Sequence, residues 1–579
     1  MKKLLYTPIL LLLIAVLISA GKVLHYKHVS SAIIERNDIA GCGASTIEMA
    51  TDENGKFIPL LPGLGNHTFI ISTSNDSTQI YFNQGLNFYY SYHMREALAS
   101  FKEAARFDKD CAMAYWGQAL SMGPYYNNYY YKMGKEVPAT IQRMNSHIAT
   151  ATAKEKALLN AVQQRYSADT TNSDRVQLDS SYAAAMHLLT QQYTDDVDIK
   201  ALYVDAVMLQ HKWDFWYNNG KPKQWTPELV TLCKEILHQD STHPAALHYY
   251  IHLTEASKHP EVALHSAEIL KEVMPGAAHM VHMATHEYQR NGLFAKGVYV
   301  NELSNAVNNT VDSLAPVLGI GRNKPIHIFN VQSYCAMNAG MYNKAMPVYL
   351  RLRNRILELS PSITSAVYTG NPYFQDVYMV PVITMVRMGK WQDILASPAP
   401  EPTWKYATLL DAFARGLAYV HNKDVPSAKR CLAKIETILP DSQLQVRNMP
   451  FSKPVQSGRV AAAILKGELF YAEGKKTEAV IAFKQAIAEE DSLIYSEPPA
   501  WRIPARQYLG AYLLKMKDAT EAEQVYREDL IWNPGNGWSL IGMYNALLAQ
   551  KKTEEAATYK TLYTIAFKDA DVIPEGSVF

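Results

Sequence analysis

Histidine is concentrated in one short part of this 579-residue sequence. Eight of the 18 histidines lie in the stretch that runs from His243 to His286. Neutral imidazole rings, often together with a carboxylate, are the ligands of zinc, copper, iron and manganese sites in proteins. The cluster therefore predicts a site for a divalent transition-metal ion, with the choice among these four metals left open.

The spacing within the cluster indicates that its side chains share helix faces. His248 and His252 are four residues apart, and Glu255 follows three residues later. Residues three and four apart lie on the same face of an α-helix. The same spacing returns in a second set, which consists of His279, His282 and His286.

A constant interval separates the two sets. His248 and His282 are 34 residues apart, and so are His252 and His286. A period of about 34 residues is typical of helix-turn-helix repeats, and packed helices lie roughly 10 Å apart. We therefore expect one shared metal site made by His248, His252, His282 and His286, with Glu255 and His279 as further ligands or as partners of the ligands.

Residues beside this site are candidates for catalysis or for contact with a bound molecule. If the site is catalytic, Glu255 is the predicted proton-transfer group, provided that it is not itself a ligand. The repeat after the two histidine sets places hydrogen-bonding residues where the second set has histidines. The repeat before the first set offers an acidic residue and two indoles. These predicted groove residues are Asp205, Trp213, Trp216, His327, Asn330 and Tyr334.

Repeated helical hairpins are the elements that must position these side chains. Small and aromatic residues recur at the spacing by which a repeat of about 34 residues packs its two helices together. Three copies carry it: Gly85, Phe88, Ala97, Phe101 and Ala104; Gly467, Phe470, Ala479, Phe483 and Ala486; and Leu509, Gly510, Leu513, Ala522, Tyr526 and Pro534. Each pair leaves an apolar face for its neighbour to cover, so the pairs stack into a superhelix with a concave groove.

These repeats resemble the tetratricopeptide repeat (TPR) family over about Thr78 to Thr564. The stretches HPAALHYYIHLTEAS and GAAHMVHMATHEYQRNG are also similar, in order and spacing, to motifs of a group of exported bacterial TPR proteins. Ala245, Ala284 and Glu287 depart from that group's pattern without removing a histidine. The resemblance implies an all-α TPR solenoid and export from the cytoplasm, and it implies no particular activity.

The sequence divides into five predicted segments. Two lysines, an apolar run from Ile9 to Ile18 and small residues indicate an export signal or an uncleaved N-terminal anchor. A proline-rich stretch indicates a linker between the two lobes. The segments are 1–21, signal peptide or anchor; 22–77, irregular; 78–395, N-terminal TPR-like array with the histidines; 396–403, linker; and 404–579, C-terminal TPR array. We expect an exported protein, periplasmic or extracellular, that contacts a membrane only if the N-terminal segment is retained as an uncleaved anchor.

Composition and motifs narrow the classes of function. A net charge of +1 gives no overall field to attract nucleic acid, and 48% hydrophobic residues exclude a disordered chain. The sequence contains no phosphate-binding loop, no nucleophile elbow and no H-E-x-x-H helix, since Arg290 stands where the last would need histidine. The alternative to a metal protein is a non-catalytic scaffold that binds a peptide or a partner protein in the groove.

Overall fold

A computed structural model describes residues 49–128, 131–169, 172, 174–318, 326–362, 371–447 and 451–579. The predicted signal or anchor at 1–21 and the first part of the irregular segment lie outside these residues. Within them the regular structure is helical, with no β-strand and one isolated bridge between Trp216 and Pro222. This confirms the all-α fold class. None of the helices in these residues is both long enough and apolar enough to span a bilayer.

Twelve α-helices lie in the described residues before position 319. They are α1 Asp76–Tyr90, α2 Met94–Phe107, α3 Ala112–Met122, α4 Val137–Ser146, α5 Ala153–Gln163, α6 Arg175–Gln192, α7 Val197–Gln210, α8 Thr226–Gln239, α9 Pro244–Thr254, α10 Leu264–Val273, α11 Ala278–Arg290 and α12 Phe294–Leu314. Short 3₁₀ turns at Ile148–Thr150, Pro260–Ala263 and Pro316–Leu318 join some of them.

Thirteen more α-helices follow in the described residues. They are α13 Ile326–Asn338, α14 Tyr342–Ser362, α15 Pro372–Arg387, α16 Trp391–Ala396, α17 Lys405–His421, α18 Val425–Ile438, α19 Ser442–Gln445, α20 Pro454–Ala472, α21 Lys476–Asp491, α22 Ala505–Lys515, α23 Ala519–Trp532, α24 Gly537–Ala549 and α25 Thr553–Ala566. Helices that follow each other along the chain pack against each other, as expected for a solenoid of helical hairpins.

The predicted small and aromatic residues make the hairpin contacts. A Cβ atom added at Gly85 in α1 would lie 2.8 Å from the ring of Phe101 in α2, and one at Gly467 in α20 would lie 2.6 Å from the ring of Phe483 in α21. Gly510 in α22 faces a tyrosine of α23 in the same way. The first helix therefore needs a glycine at the position where a ring of the second helix lies against the backbone of the first.

The hydrophobic core consists of two large clusters. One extends from Ile58 to Leu318 and the other from Phe294 to Ala556, and α12 contributes residues to both. Ile394 and Trp404, on either side of the proline-rich stretch, both belong to the second cluster. The lobe boundary at 396–403 stays a prediction of the sequence.

The C-terminal helices fold back onto earlier ones. The indole of Trp538 donates to the carbonyl of Asn338 at 3.1 Å, and the backbone N–H groups of Asp571 and Val572 donate to the carbonyl of Gly340. The turn at Gly292 meets the turn at Gly535 so closely that a Cβ at Gly292 would collide with its backbone, and the positive φ of Gly292 also favours glycine. Distant parts of the solenoid are thus in contact.

Candidate metal centre

Three neighbouring helices, α9, α11 and α13, carry the histidine cluster. Each is the first helix of its hairpin, and α11 packs against both of the others. A helix turns about 100° per residue, so His282 is rotated by about 60° and His286 by about 20° from His279, all in the same direction. His279 therefore faces α9, His282 faces α13, and His286 lies between them.

The first group contains His248, His252 and His279. One ring nitrogen from each lies within 4.8 Å of those of the other two. The rings of His248 and His252 are 4.9 Å apart between centroids, and those of His248 and His279 are 5.1 Å apart. His248 and His252 are buried, whereas His279 is partly exposed. This is the donor set of a three-histidine metal site with a further coordination position open.

Hydrogen bonds fix which ring nitrogens face inward. Nδ1 of His248 lies 2.7 Å from the carbonyl of Tyr90, and Nδ1 of His252 lies 2.9 Å from Oε1 of Glu255. A carbonyl accepts only from an N–H, so Nδ1 of His248 carries the proton. Nε2 of His248, His252 and His279 is buried and makes no hydrogen bond to the described residues. Metal-binding histidines are commonly oriented in this way, with the second ring nitrogen bound to a carbonyl or a carboxylate.

The rings of the first group are neutral at pH 7. Burial, together with the neighbouring histidines, lowers the pKa of His248 and of His279 well below the ordinary value. Burial and the charge on His286 lower the pKa of His252 to about 3. A neutral imidazole keeps the lone pair with which it binds a metal ion, so these three nitrogens are available as ligands.

The second group contains His282, His286 and His327, with one ring nitrogen of each within 4.8 Å of the others. Nε2 of His282 and Nε2 of His286 are 3.1 Å apart. Nδ1 of His282 lies 2.6 Å from Oδ1 of Asn301, whose amide nitrogen donates to the carbonyl of Gly297. The amide is thereby oriented, and Nδ1 of His282 must be the donor.

Two buried carboxylates contact His286. Its Nδ1 lies 2.6 Å from Oε2 of Glu255 and 2.7 Å from Oε2 of Glu497. Burial opposes a charge on His286, but the charges and hydrogen bonds of these carboxylates outweigh it and raise its pKa to about 10. Glu255 accepts from His252 through one oxygen and from His286 through the other, so it links the two groups.

The structure brings all the predicted ligands together, in a different grouping from the predicted one. We expected His248, His252, His282 and His286 around one ion; the histidine nitrogens instead fall into two sets of three, one of which includes His327, and His252, Glu255 and His286 form a further set that overlaps both. The reason is the helical rotation within α11, which directs His279 and His282 toward different neighbours. Both oxygens of Glu255 already accept hydrogen bonds, which favours an orienting role for this residue over direct ligation.

The other predicted groove residues have separate surroundings. Trp213 lies nearest the histidines, with its ring 6.4 Å from that of His252 and stacked at 4.1 Å on Tyr126. Three more form side-chain hydrogen bonds: Asp205 accepts from Tyr89 at 2.6 Å, Trp216 donates to the carbonyl of Leu253 at 2.7 Å, and Asn330 accepts from Arg502 at 2.8 Å. Tyr334 packs in the core against Phe294, with ring centroids 5.9 Å apart.

Sequence reasoning missed Glu497, Tyr90, Asn301 and Tyr126 as neighbours of the histidines. Tyr90 takes part through its backbone carbonyl, so its side-chain type carries no signal. Glu497 reaches His286 from 211 positions along the chain, and no repeat period connects them. The signal for Asn301 was weak: it lies in α12, the helix that follows α11 in the same hairpin.

The chain itself covers the histidines. Besides Glu497, Phe451 lies 6.0 Å from the ring of Trp213, and the backbone of Asp491 accepts from Asn218. Arg290, at the end of α11, donates to the carbonyl of Trp532. As a result, four of the six grouped histidines are almost fully buried, and His279 and His327 are partly exposed.

No protein-family model and no curated protein sequence matches this chain. Among solved structures, it is similar to the human IFIT1 dimer with m7Gppp-AAAA, at 10% identity and a TM-score of 0.31 over 86% of this chain and 91% of that chain. It is also similar to yeast Tom70, at 11% identity and a TM-score of 0.30 over 85% and 92%. With the Cut9–Hcn1 hetero-tetramer of APC/C the identity is 12% and the TM-score 0.25, over 85% and 94%. Because identities and TM-scores are so low, we base no inference on these likenesses.

Proposed function

We propose that this chain is a metal-binding protein built on a TPR-like solenoid. In this proposal His248, His252 and His279 hold one divalent transition-metal ion through Nε2. The observation that carries the proposal is the set of three buried Nε2 atoms that make no hydrogen bond to the described residues. Unpaired buried polar atoms are costly, so a cluster of three needs a ligand to satisfy it.

The arrangement suits a metal that accepts three imidazoles and keeps one position open. Zinc in catalytic sites has this coordination, and copper, iron and manganese also accept imidazole. A bound ion of this kind supplies Lewis acidity, an activated water or redox chemistry. The chain's own residues orient the rings: the carbonyl of Tyr90 orients His248, and Glu255 orients His252.

Two buried tyrosine rings pack beside the first group. Tyr92 lies 4.5 Å from the ring of His248, and Tyr126 lies 5.1 Å from that of His252. They exclude water from the ligand nitrogens, which strengthens electrostatic attraction to an ion. Partly exposed His279 marks the side from which an ion or a small molecule reaches the site.

Metal analysis of the full-length chain tests the proposal. Protein stripped with a chelator and reloaded with Zn²⁺ should retain metal through gel filtration, and His248→Ala should lose the ion held by this group. His259→Ala is the matched control, because the imidazole of His259 is exposed and contacts the exposed side chain of Glu261. Wild-type protein that retains no metal and melts at the same temperature with and without Zn²⁺ would refute the proposal and leave the peptide-binding scaffold as the better hypothesis.

Export, family membership and partners are further parts of the proposal. Export rests on the sequence of residues 1–21, and membership of the exported bacterial TPR group rests on the motif resemblance. A peptide or protein partner in the groove stays a prediction; near the histidines it would have to displace residues 495–497, which lie over the cluster.

A further inference from the structure

We propose that His282, His286 and His327 form a second metal position beside the first, so that the cluster is a two-ion centre. This inference deepens the proposed function and rests on it for the neighbouring ion. The first position holds its ion through rings of α9 and α11, and the second would hold its ion through rings of α11 and α13.

The short contact between His282 and His286 carries the argument. Both Nδ1 atoms are committed as donors, His282 to Asn301 and His286 to two carboxylates. If both rings are neutral, the two Nε2 atoms present lone pairs to each other at 3.1 Å, which is repulsive unless a metal ion or a proton lies between them. With metal–nitrogen bonds of about 2.0–2.1 Å and near-tetrahedral angles, two ligand nitrogens lie roughly 3.1–3.4 Å apart.

The third histidine and the carboxylates complete the position. A ring nitrogen of His327 lies within 4.8 Å of those of His282 and His286, and His327 is partly exposed, which gives access from outside. Oε1 of Glu497 is buried and makes no hydrogen bond to any described residue. Two buried carboxylates around one imidazole favour a positive charge in this group, because uncompensated buried anions are costly.

The two positions are adjacent. The rings of His252 and His286 are 5.5 Å apart, those of His279 and His282 are 5.9 Å apart, and Glu255 contacts a histidine of each group. A proton on Nε2 of His286 would also relieve the contact with His282, and it is the alternative that the experiment must distinguish.

Zinc stoichiometry of the full-length protein separates the alternatives. We would load stripped wild-type protein, His327→Ala, His248→Ala and the control His259→Ala with Zn²⁺ and measure bound zinc by mass spectrometry after gel filtration. We expect about two equivalents in wild type and control, and about one in each of the other two variants. Circular dichroism at 222 nm establishes that each variant keeps its helices.

The other outcomes each have a definite meaning. If wild type binds one equivalent of zinc, and His248→Ala loses it while His327→Ala keeps it, the second position is overturned and the proposed function stands. One equivalent that only His327→Ala removes would support the second position and overturn the first. If no zinc binds, both metal positions are overturned, and a proton on His286 is the explanation of its contact with His282. If a variant loses its helices, anomalous diffraction from zinc-loaded wild-type crystals decides instead: two peaks support the inference, and one peak at the first group overturns it.

Glu497→Gln is a second test that leaves every histidine in place. The substitution removes one of the two carboxyl groups that contact His286 and keeps the size of the side chain. Since partners of ligands commonly contribute 10- to 100-fold to metal affinity, we expect a loss of about that size for the second ion and little change for the first. Equal weakening of both ions, or of neither, would contradict the assignment of Glu497 to the second position.

Discussion

The histidine side chains of this protein use their two nitrogens differently. In four of them Nδ1 is hydrogen-bonded to an oxygen: that of His248 to Tyr90, that of His252 to Glu255, that of His282 to Asn301, and that of His286 to two carboxylates. Nε2 is left facing the centre of each group. The direction of each ring is therefore set by the residues behind it, and these residues should matter almost as much as the histidines.

Glu255→Gln should weaken metal binding at both positions. Glutamine keeps the length of the side chain but offers one acceptor oxygen, so its amide group would face the N–H of either His252 or His286. We expect a 10- to 100-fold loss of Zn²⁺ affinity in competition with a chelator. Glu261→Gln is the control, because Glu261 bonds an exposed histidine; equal affinities for the two variants would contradict an orienting role for Glu255.

Glu468 should make stability depend on pH. Burial raises the pKa of its carboxyl from 4.5 to about 7, although the hydrogen bond from Tyr512 opposes the shift. The folded state then binds the proton more tightly than the unfolded state, so the contribution is full below pH 4.5 and is lost as pH rises through about 7. Glu468→Gln should remove this loss, making the variant more stable than wild type at pH 8 by on the order of 3 kcal/mol. Urea unfolding at pH 5 and pH 8 measures it, and an unchanged difference between the two pH values would contradict the prediction.

At the scale of helices, one packing rule recurs along the chain. A ring from the second helix of a hairpin lies on the backbone of the first helix, and the next hairpin places a glycine on the other side of that ring. Phe101 lies between Gly85 and Gly117, and Tyr526 lies between Gly510 and Gly542. At these two places the contact allows neighbouring hairpins to approach closely.

Gly85→Ala should destabilise the first hairpin. The added Cβ would lie 2.8 Å from the ring of Phe101, which is fully buried and cannot move away freely. Overpacking of this kind costs about 1–3 kcal/mol. Gly134→Ala is the control, because a Cβ there has no atom within 4 Å. Thermal unfolding of both variants measures the difference, and a Gly85→Ala protein as stable as the control would show that the contact is not restrictive.

At the scale of the whole molecule, the fold-back of the C-terminal helices covers the centre. Residues after α19 supply Glu497 to His286, and Trp538 anchors α24 to α13 and α15. The chain is thus a solenoid that closes part of its own groove. Among the six grouped histidines of the described residues, His279 and His327 are partly exposed and the other four are buried.

Trp538→Phe should loosen this contact. The indole is fully buried, donates to the carbonyl of Asn338 at 3.1 Å, and packs 3.8 Å from the guanidinium of Arg387. Phenylalanine would leave the carbonyl unpaired, at a cost of about 1–3 kcal/mol. We expect a lower midpoint of denaturant unfolding. Trp391→Phe is the control, since Trp391 is partly exposed and stacks on His421; equal midpoints would contradict the anchoring role.

The amino-acid sequence by itself determined the helical class, the three hairpins with their glycine and ring contacts, and the helix faces of the six predicted ligands. These follow from spacing along one helix or from one repeat to the next, and such short-range geometry is fixed by the periodicity of the α-helix. The tertiary structure decided the grouping into two sets of three, the entry of His327, and the contribution of Glu497. Those depend on small rotations between packed helices and on contacts between residues some 200 positions apart, which no local pattern encodes.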